Sequence, residues 1–463
     1  MKQNILLFFS VLALFCKGQN KPCATQMGSD QIKELRAFQQ KLSLGEVSLG
    51  KKSIQYVPLK IHILGNNKGI GYYSIHNLMQ TLCDVNEDFL STGFHFYLTG
   101  SIDYIDDDDL FNGNSDAIWN RADAYKTTGA VNVFFHGGGS EWCGVYFPGV
   151  DVVFIKNACQ GANATTLTHE LGHFFSLPHT FSGWESNNTP LSIEKVDGSN
   201  CRNSGDGFCD TRADYVSVRW GCPLSYNLVD PNKVSFKPDS SIYMSYSLDA
   251  CQTRFSNEQM ATMRNNLQGR NIAKDNENIS TLLSPVLLSP VNGDTNQNAS
   301  HVVLKWSAVP GAFAYHLQVA RFGAFEYLSA DKLISDTSAT IELYGKWPYT
   351  WRVRAFTAAN TCTSAFGSAS TFTTYESVVG MAEIKLEMDQ LNIYPNPLNA
   401  GQTFTINAPA KSELMITNTD GRIVLITQVS QLQSTFFSIN DAGLYIVSVN
   451  NSGSISRKKL LVQ

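Results

Sequence analysis

The sequence predicts a multidomain chain: an α/β domain built on a twisted mixed sheet with one motif-bearing helix, followed by two all-β sandwich domains. Three observations lead there. The chain has 463 residues, too many for one ordinary core, and its 43% hydrophobic and 16% charged content is that of a folded protein. Up to about residue 275, strand-like and helix-like apolar patterns alternate. Beyond that point helical patterns vanish and only short apolar runs split by turn residues remain.

The elements follow in order. "MKQNILLFFSVLALFCKGQN" has Lys2, an apolar stretch from Ile5 to Cys16, and small or polar residues after it. It reads as a secretory signal peptide over residues 1–18, too short to span a bilayer. No other segment is apolar enough to cross a membrane, so an exported protein without a transmembrane segment is expected. Residues 19–52 stand between this peptide and the first domain, with Lys51–Lys52 at their end. The α/β domain then runs over 53–275. "IQYVPLKIHIL" alternates as a strand. Ile75, Leu78, Leu82, Val85 and Phe89 recur at helical spacing. "AVNVFFH" and "DVVFIK" are short apolar strands. Residues 284–375 carry strand-like runs from "HVVLKWSAV" to "YTWRVRAF". Residues 376–389 read as a polar linker, and a last β domain fills 390–463.

The chemistry concentrates in "THELGHFFSLPHT", which holds three of the nine histidines. Residues four apart share a helix face, so His169 and His173 point the same way. His179 lies ten residues past His169 and must arrive from a bend after about Phe175, which Pro178 favours. Three imidazoles can hold one zinc ion and leave a fourth position for water. Glu170, beside the first ligand, is placed to act on that water as general base. A chance His-Glu-x-x-His is expected in under about 1% of shuffled chains of this composition. A filled structural zinc site would need a fourth Cys or His nearby, and none stands close in sequence.

The net charge of −5, with no long basic run, argues against nucleic acid as a partner. Of ten cysteines, Cys16 leaves with the signal peptide and six lie between Cys143 and Cys251. Disulfides are therefore expected around the histidine motif. Spacing alone leaves their connectivity, and the partners of Cys83 and Cys362, open.

"HELGHFFSLPHTF", "GDGFCDT" (205–211), "GCP" (221–223), "YMSYSLDAC" (243–251) and "RFSNEQMATMR" (254–264) together resemble the pappalysin family of metzincin zinc metallopeptidases. The resemblance implies a metzincin-like fold over roughly residues 54–272 and a secreted endopeptidase acting on protein or peptide substrates. It implies Met244 as an apolar floor under the zinc and Tyr246 as a catalytic hydrogen-bond donor. Asp249 would line the pocket that favours Arg or Lys just after the cut. Asp206 and Thr211 would hold a structural calcium, with the Cys209 carbonyl and Asp210 as further candidates, since calcium takes hard oxygen ligands. The pattern also implies the disulfide Cys222–Cys251; Cys143–Cys159 would close a hairpin, and Cys201–Cys209 is the remaining local pair, the family's usual partner of Cys201 being missing here. Metzincin precursors often silence themselves with an upstream thiolate on zinc, which makes Cys23 in "KPCATQM" a candidate zymogen thiol within a pro-segment of residues 19–52, with Lys51–Lys52 as its cleavage site. One position departs from the family: Ser176 stands where it has Gly, at a bend that often needs φ > 0. The expectation is a strained but working bend costing about 1 kcal/mol or more.

Two further resemblances concern the β domains. Trp306, "VPGAFAY" and "YTWRVRAF" are similar to a fibronectin type III domain. Tyr394-Pro395-Asn396-Pro397, Gly443 with Tyr445, and the ending Arg457 to Val462 are similar to the C-terminal sorting domain of type IX secretion. That implies the type IX machinery as a partner and release or surface attachment of the protein. The competing functional expectation is an adhesin or binding protein with impaired catalysis, which the intact Glu170 disfavours.

Overall fold

The structure, a computed structural model, describes residues 21–47, 54–184, 193–273, 277–321, 323–326, 328–375, 391–407, 412–419, 423–429, 435–451 and 454–463. The signal peptide, Lys51–Lys52 and the 376–389 linker lie outside them. The chain forms two compact units, residues 1–376 and 377–463.

The first unit opens with β1 (Lys21–Cys23) and α1 (Ser29–Ser43), then β2 (Gln55–Gly65), α2 (Ile75–Asp88), β3 (Phe94–Leu98), β4 (Asp103–Asp106), α3 (Asp108–Phe111) and α4 (Ser115–Arg121). It continues with β5 (Val131–His136), β6 (Trp142–Phe147), β7 (Val152–Lys156), α5 (Thr166–Phe174), β8 (Leu228–Val229), β9 (Ser235–Phe236) and α6 (Asn257–Gly269). The main sheet has the order β1-β6-β7-β5-β2-β3, with β4 also on β2. Every pairing is parallel except β6 with β7, so the sheet is mixed. β5 and β6 are buried at every residue, as sheet centres covered on both faces are. On one face the side chains of β2, β5 and β7 pack with α2, α5 and α6 in a single core.

Two features were not anticipated. The stretch read as a pro-segment supplies β1 to this sheet, and its α1 packs against α6. The second domain also belongs to the first unit. Its strands run β10 (Leu287–Ser289), β11 (Asp294–Asn298), β12 (Val302–Trp306), β13 (Ala314–Ala320), β14 (Leu328–Ile334), β15 (Ser338–Ile341), β16 (Pro348–Phe356) and β17 (Ser370–Tyr375). They form sheets ordered β10-β12-β15 and β11-β17-β16-β13-β14 around a shared core with Trp306 and Trp351. Ala314 and Phe356 from these sheets join the α/β core. The Cys83–Cys362 disulfide ties α2 to the same domain, and Asp331 accepts from the His76 amide at its start (2.8 Å).

The second unit holds β18 (Asn392–Tyr394), β19 (Thr403–Asn407), β20 (Ser412–Asn418), β21 (Ile423–Val429), β22 (Thr435–Ser438), β23 (Gly443–Asn451) and β24 (Ser454–Val462). They form sheets ordered β18-β19-β22 and β21-β20-β23-β24 over one core with Phe404, Leu414 and Tyr445. Among the described residues, no helix is long and apolar enough to cross a membrane.

Candidate metal centre

α5 carries His169 and His173 on one buried face and ends at Phe174. The exit is a hydrogen-bonded reversal. The Ser176 amide donates to His173 O (2.9 Å) and the Leu177 amide to Gly172 O (3.0 Å), with Ser176 at φ 69°. This is the left-handed helix ending that glycine usually takes. The strained position has its own support, since Asn266 Nδ2 donates to Ser176 Oγ (2.7 Å). The reversal brings His179 back over the helix.

The three Nε2 atoms lie 3.0, 3.1 and 3.2 Å apart. His169 Nδ1 sits 2.7 Å from Tyr243 O, and His173 Nδ1 2.7 Å from Leu177 O. A carbonyl only accepts, so both Nδ1 atoms carry the proton and both Nε2 atoms present bare lone pairs. Two bare lone pairs at that distance repel unless a cation lies between them. The spacing is close to the roughly 3.3 Å that tetrahedral bonds of about 2.0–2.1 Å impose, so the donor set fits zinc. Burial first, then the neighbouring His179, holds His169 down to about 3, which keeps it neutral as a ligand must be. Burial depresses His173 as well.

The fourth member of the cluster is Cys23. Its sulfur and one nitrogen from each histidine all lie within 4.8 Å of one another, and all four residues are buried. β1 puts it there by pairing in parallel with the edge of β6, Cys23 opposite Gly144. Burial, then the charge of Glu170, pushes the Cys23 thiol well above its ordinary value. A thiolate at this spot therefore calls for a positive charge beside it.

Glu170 is fully buried. Its Oε2 accepts from Thr25 Oγ1 (2.8 Å), while its Oε1 has no hydrogen-bond partner. Burial raises the carboxyl to about 7. The carboxylate lies against Gly144, where an added Cβ would come within 2.6 Å of Oε1. Only glycine lets this strand approach so closely. Met244 packs beneath the helix in the same manner: a Cβ on Gly172 would meet its sulfur at 2.3 Å. The Thr180 amide donates to Met244 O (3.1 Å), tying the His179 loop to that turn. Tyr246 lies beside His169 and His179, with ring centroids 5.9 and 4.9 Å away. Its hydroxyl donates to the Cys23 carbonyl (3.1 Å), so it already holds a peptide oxygen next to the histidines.

The family described as pregnancy-associated plasma protein-A matches residues 139–268, a span that holds all of these groups except the N-terminal ones. This is a pappalysin metalloprotease domain. The secretion system C-terminal sorting domain matches residues 392–463. An extracellular metalloprotease of Colletotrichum graminicola is 29% identical over 229 residues, 45% of this chain and 74% of that protein. One from Pyricularia oryzae is 27% identical over 236 residues, 46% and 75% of the two chains. The solved structure of mirolysin in complex with compound 9 covers 46% of this chain and 91% of its own, at 19% identity and a TM-score of 0.34. The protein is a secreted or cell-surface metalloprotease, and its sorting domain directs it to type IX secretion.

In the pappalysin domain, Asp249 accepts through Oδ1 from Thr165 Oγ1 (2.9 Å) and is ion-paired with Arg219 (2.5 Å). Cysteines pair as Cys222–Cys251, Cys143–Cys159 and Cys201–Cys209. Cys23 is free.

The carboxylate-rich loop is built differently. Asp206 is buried and accepts from the Phe208 amide (2.9 Å) and Thr211 Oγ1 (3.0 Å). Asp210, a third calcium candidate, is exposed and instead accepts from the Glu258 amide at the start of α6 (2.9 Å). Buried carboxyls that the sequence did not single out stand nearby. Glu194 keeps an unpartnered Oε2, and a Cβ on Gly205 would meet it at 2.3 Å. Burial, then the Asp206 and Asp214 charges, lifts Glu194 to about 9, and burial lifts Asp206 to about 8. Over this loop lies Arg36 from α1, donating to Gly205 O (3.2 Å) and Arg202 O (3.4 Å), with Gln39 donating to Asp206 O (2.9 Å). No local motif announces Arg36, Gln39, Thr25, Gly144 or Glu194.

Proposed function

We propose that the chain is a zinc endopeptidase made in a latent form, with residues 19–52 as its pro-segment. One observation carries this reading: the sulfur of Cys23 completes a buried cluster with the three imidazoles, and it arrives on a strand that occupies the edge of β6. Thiolate is a good zinc ligand and would take the position that water needs. Cleavage near Lys51–Lys52 would release β1 and expose unpaired backbone groups along β6, onto which an extended substrate can add as a strand.

A zinc ion held by His169, His173 and His179 supplies Lewis acidity for the scissile carbonyl and for the attacking water. Glu170 takes the proton of that water and delivers it to the leaving amine. Its buried Oε1 without a partner and its raised pKa suit both steps. Tyr246 donates to the oxygen of the tetrahedral intermediate, in the place where it now binds the Cys23 carbonyl. Met244 is the apolar floor. Asp249 sits in the recess beside His169 and Glu170 and selects Arg or Lys after the cut through a charge-assisted pair. Asp206 and Thr211, with loop carbonyls, hold calcium once the Arg36 guanidinium leaves. The two β domains are read as a fibronectin type III-like sandwich and a sorting-domain sandwich.

The test is hydrolysis of a general protein substrate by the processed enzyme. Glu170→Gln should lower the rate by about 10²–10⁴-fold, the usual weight of a general base. A chelator should abolish activity and added zinc should restore it. Equal rates for wild type and Glu170→Gln would overturn the assignment.

A further inference from the structure

Arg219 belongs to none of the motifs above, yet it lines the same recess as His169, Glu170, Tyr246 and Asp249. Its guanidinium holds Asp249 Oδ1 at 2.5 Å, the oxygen that also accepts from Thr165. The partners are fixed by the backbone on both sides. The Trp220 amide donates to Tyr246 O (3.1 Å) and the Leu248 amide to Trp220 O (2.9 Å). The Cys222–Cys251 disulfide then closes the two segments that carry Arg219 and Asp249. Both side chains remain partly open, at 28% and 32% exposure, so a ligand in the recess can reach them.

We infer that Arg219 is a specificity-determining residue: an internal guanidinium that competes with the substrate for Asp249. The inference rests on the reading of Asp249 as the residue that meets the side chain after the cut. An unpaired carboxylate would gain a full charge-assisted hydrogen bond from an incoming Arg or Lys. A carboxylate already paired gains only the difference between one cation and another, because the substrate must first displace Arg219. Selectivity is a difference of affinities, and here the protein's own cation shrinks that difference. The recess thus carries a neutral ion pair rather than a bare negative charge. Peptides with neutral side chains at this position are admitted more readily than Asp249 alone would allow.

The experiment compares two peptides that differ only in the residue after the cut, Arg against Leu, mixed in one reaction with the processed enzyme. The ratio of their kcat/KM values is independent of how much of a preparation is folded or active. Arg219→Ala and Arg219→Gln should each raise the Arg/Leu ratio by about tenfold over wild type. Asp249→Asn should lower it below wild type, and adding Arg219→Ala to it should produce no further rise. An unchanged or lowered ratio in both Arg219 variants, with Asp249→Asn still reducing it, overturns the inference and leaves the pocket reading intact. A ratio unmoved by Asp249→Asn overturns the pocket reading itself, and the inference with it. No cleavage of either peptide by wild type overturns the endopeptidase reading.

Discussion

The histidine centre and the carboxylate loop are both covered by the same N-terminal segment, with opposite chemistry. Cys23 brings a soft sulfur to three imidazoles, and Arg36 brings a guanidinium to buried carboxyls. The histidine centre is assembled before any cation is considered. Its Nδ1 protons are committed to backbone carbonyls and its lone pairs converge. The carboxylate loop is unfinished without a positive charge, since burial raises both Asp206 and Glu194, the Asp206 charge raises Glu194 further, and Glu194 keeps an unpartnered oxygen. A metal ligand set can thus be rigid because its protons are placed elsewhere, whereas an anionic one leans on whichever cation is present.

The two anchors should therefore differ in strength. In the unprocessed chain, Cys23→Ala should raise peptide hydrolysis by at least about tenfold, the equivalent of about 1.4 kcal/mol of lost grip. Arg36→Ala should release α1 to limited proteolysis about fivefold faster, near the 1 kcal/mol typical of a hydrogen bond, because its contacts at 3.2 and 3.4 Å are long. The freed carboxyls respond by taking up protons rather than by repelling one another. A Cys23→Ala precursor as silent as wild type would end the thiol's part in latency. The comparison would reverse if Arg36→Ala were the more active of the two.

Acid and base should also separate the sites. With chelator present, Asp206 at about 8 and Glu194 at about 9 stand above their ordinary values of 3.8 and 4.5. The stability they contribute is complete below about pH 4 and is lost as pH rises through 8 to 9. His169 has the opposite sign: at about 3 against an ordinary 6.5, its contribution is present above pH 6.5 and is lost as pH falls toward 3. The Tm of the chelated precursor should peak at mildly acidic pH and fall on both sides. In the processed enzyme, where Arg36 no longer covers the loop, added calcium should flatten the alkaline limb and leave the acid limb alone. An alkaline limb that is flat in chelator would remove the case for stressed carboxyls in the loop.

The contrast also explains what could be read without coordinates. The histidine centre lies within eleven residues, so helical spacing and one proline suffice to place its ligands. The loop draws Arg36 from more than 160 positions away and Glu194 from outside the "GDGFCDT" motif, and no periodicity links such residues. The same distance hid the Cys83–Cys362 bridge, 279 positions apart, and with it the attachment of the second domain to the first core. Gly144 was illegible for another reason. A glycine in an apolar strand does not reveal that a carboxylate lies where its Cβ would be. Nor does sequence proximity to Asp206 tell that Asp210 turns outward to cap α6.

Ser176 gives the finest test of that legibility. The sequence alone marked it as a residue at a glycine position, and the structure gives it φ 69°. What the sequence did not show is the hydrogen bond from Asn266 to its hydroxyl. Two substitutions separate these terms. Ser176→Gly removes about 1 kcal/mol of left-handed strain and also loses the bond, worth about 1 kcal/mol. Ser176→Ala keeps the strain and loses only the bond. Denaturant unfolding should therefore find Ser176→Gly about 1 kcal/mol more stable than Ser176→Ala, and close to wild type. If the two variants unfold at the same denaturant concentration, the bend is not strained. Serine would then hold this corner as comfortably as glycine, and the departure from the family pattern would carry no cost at the histidine centre.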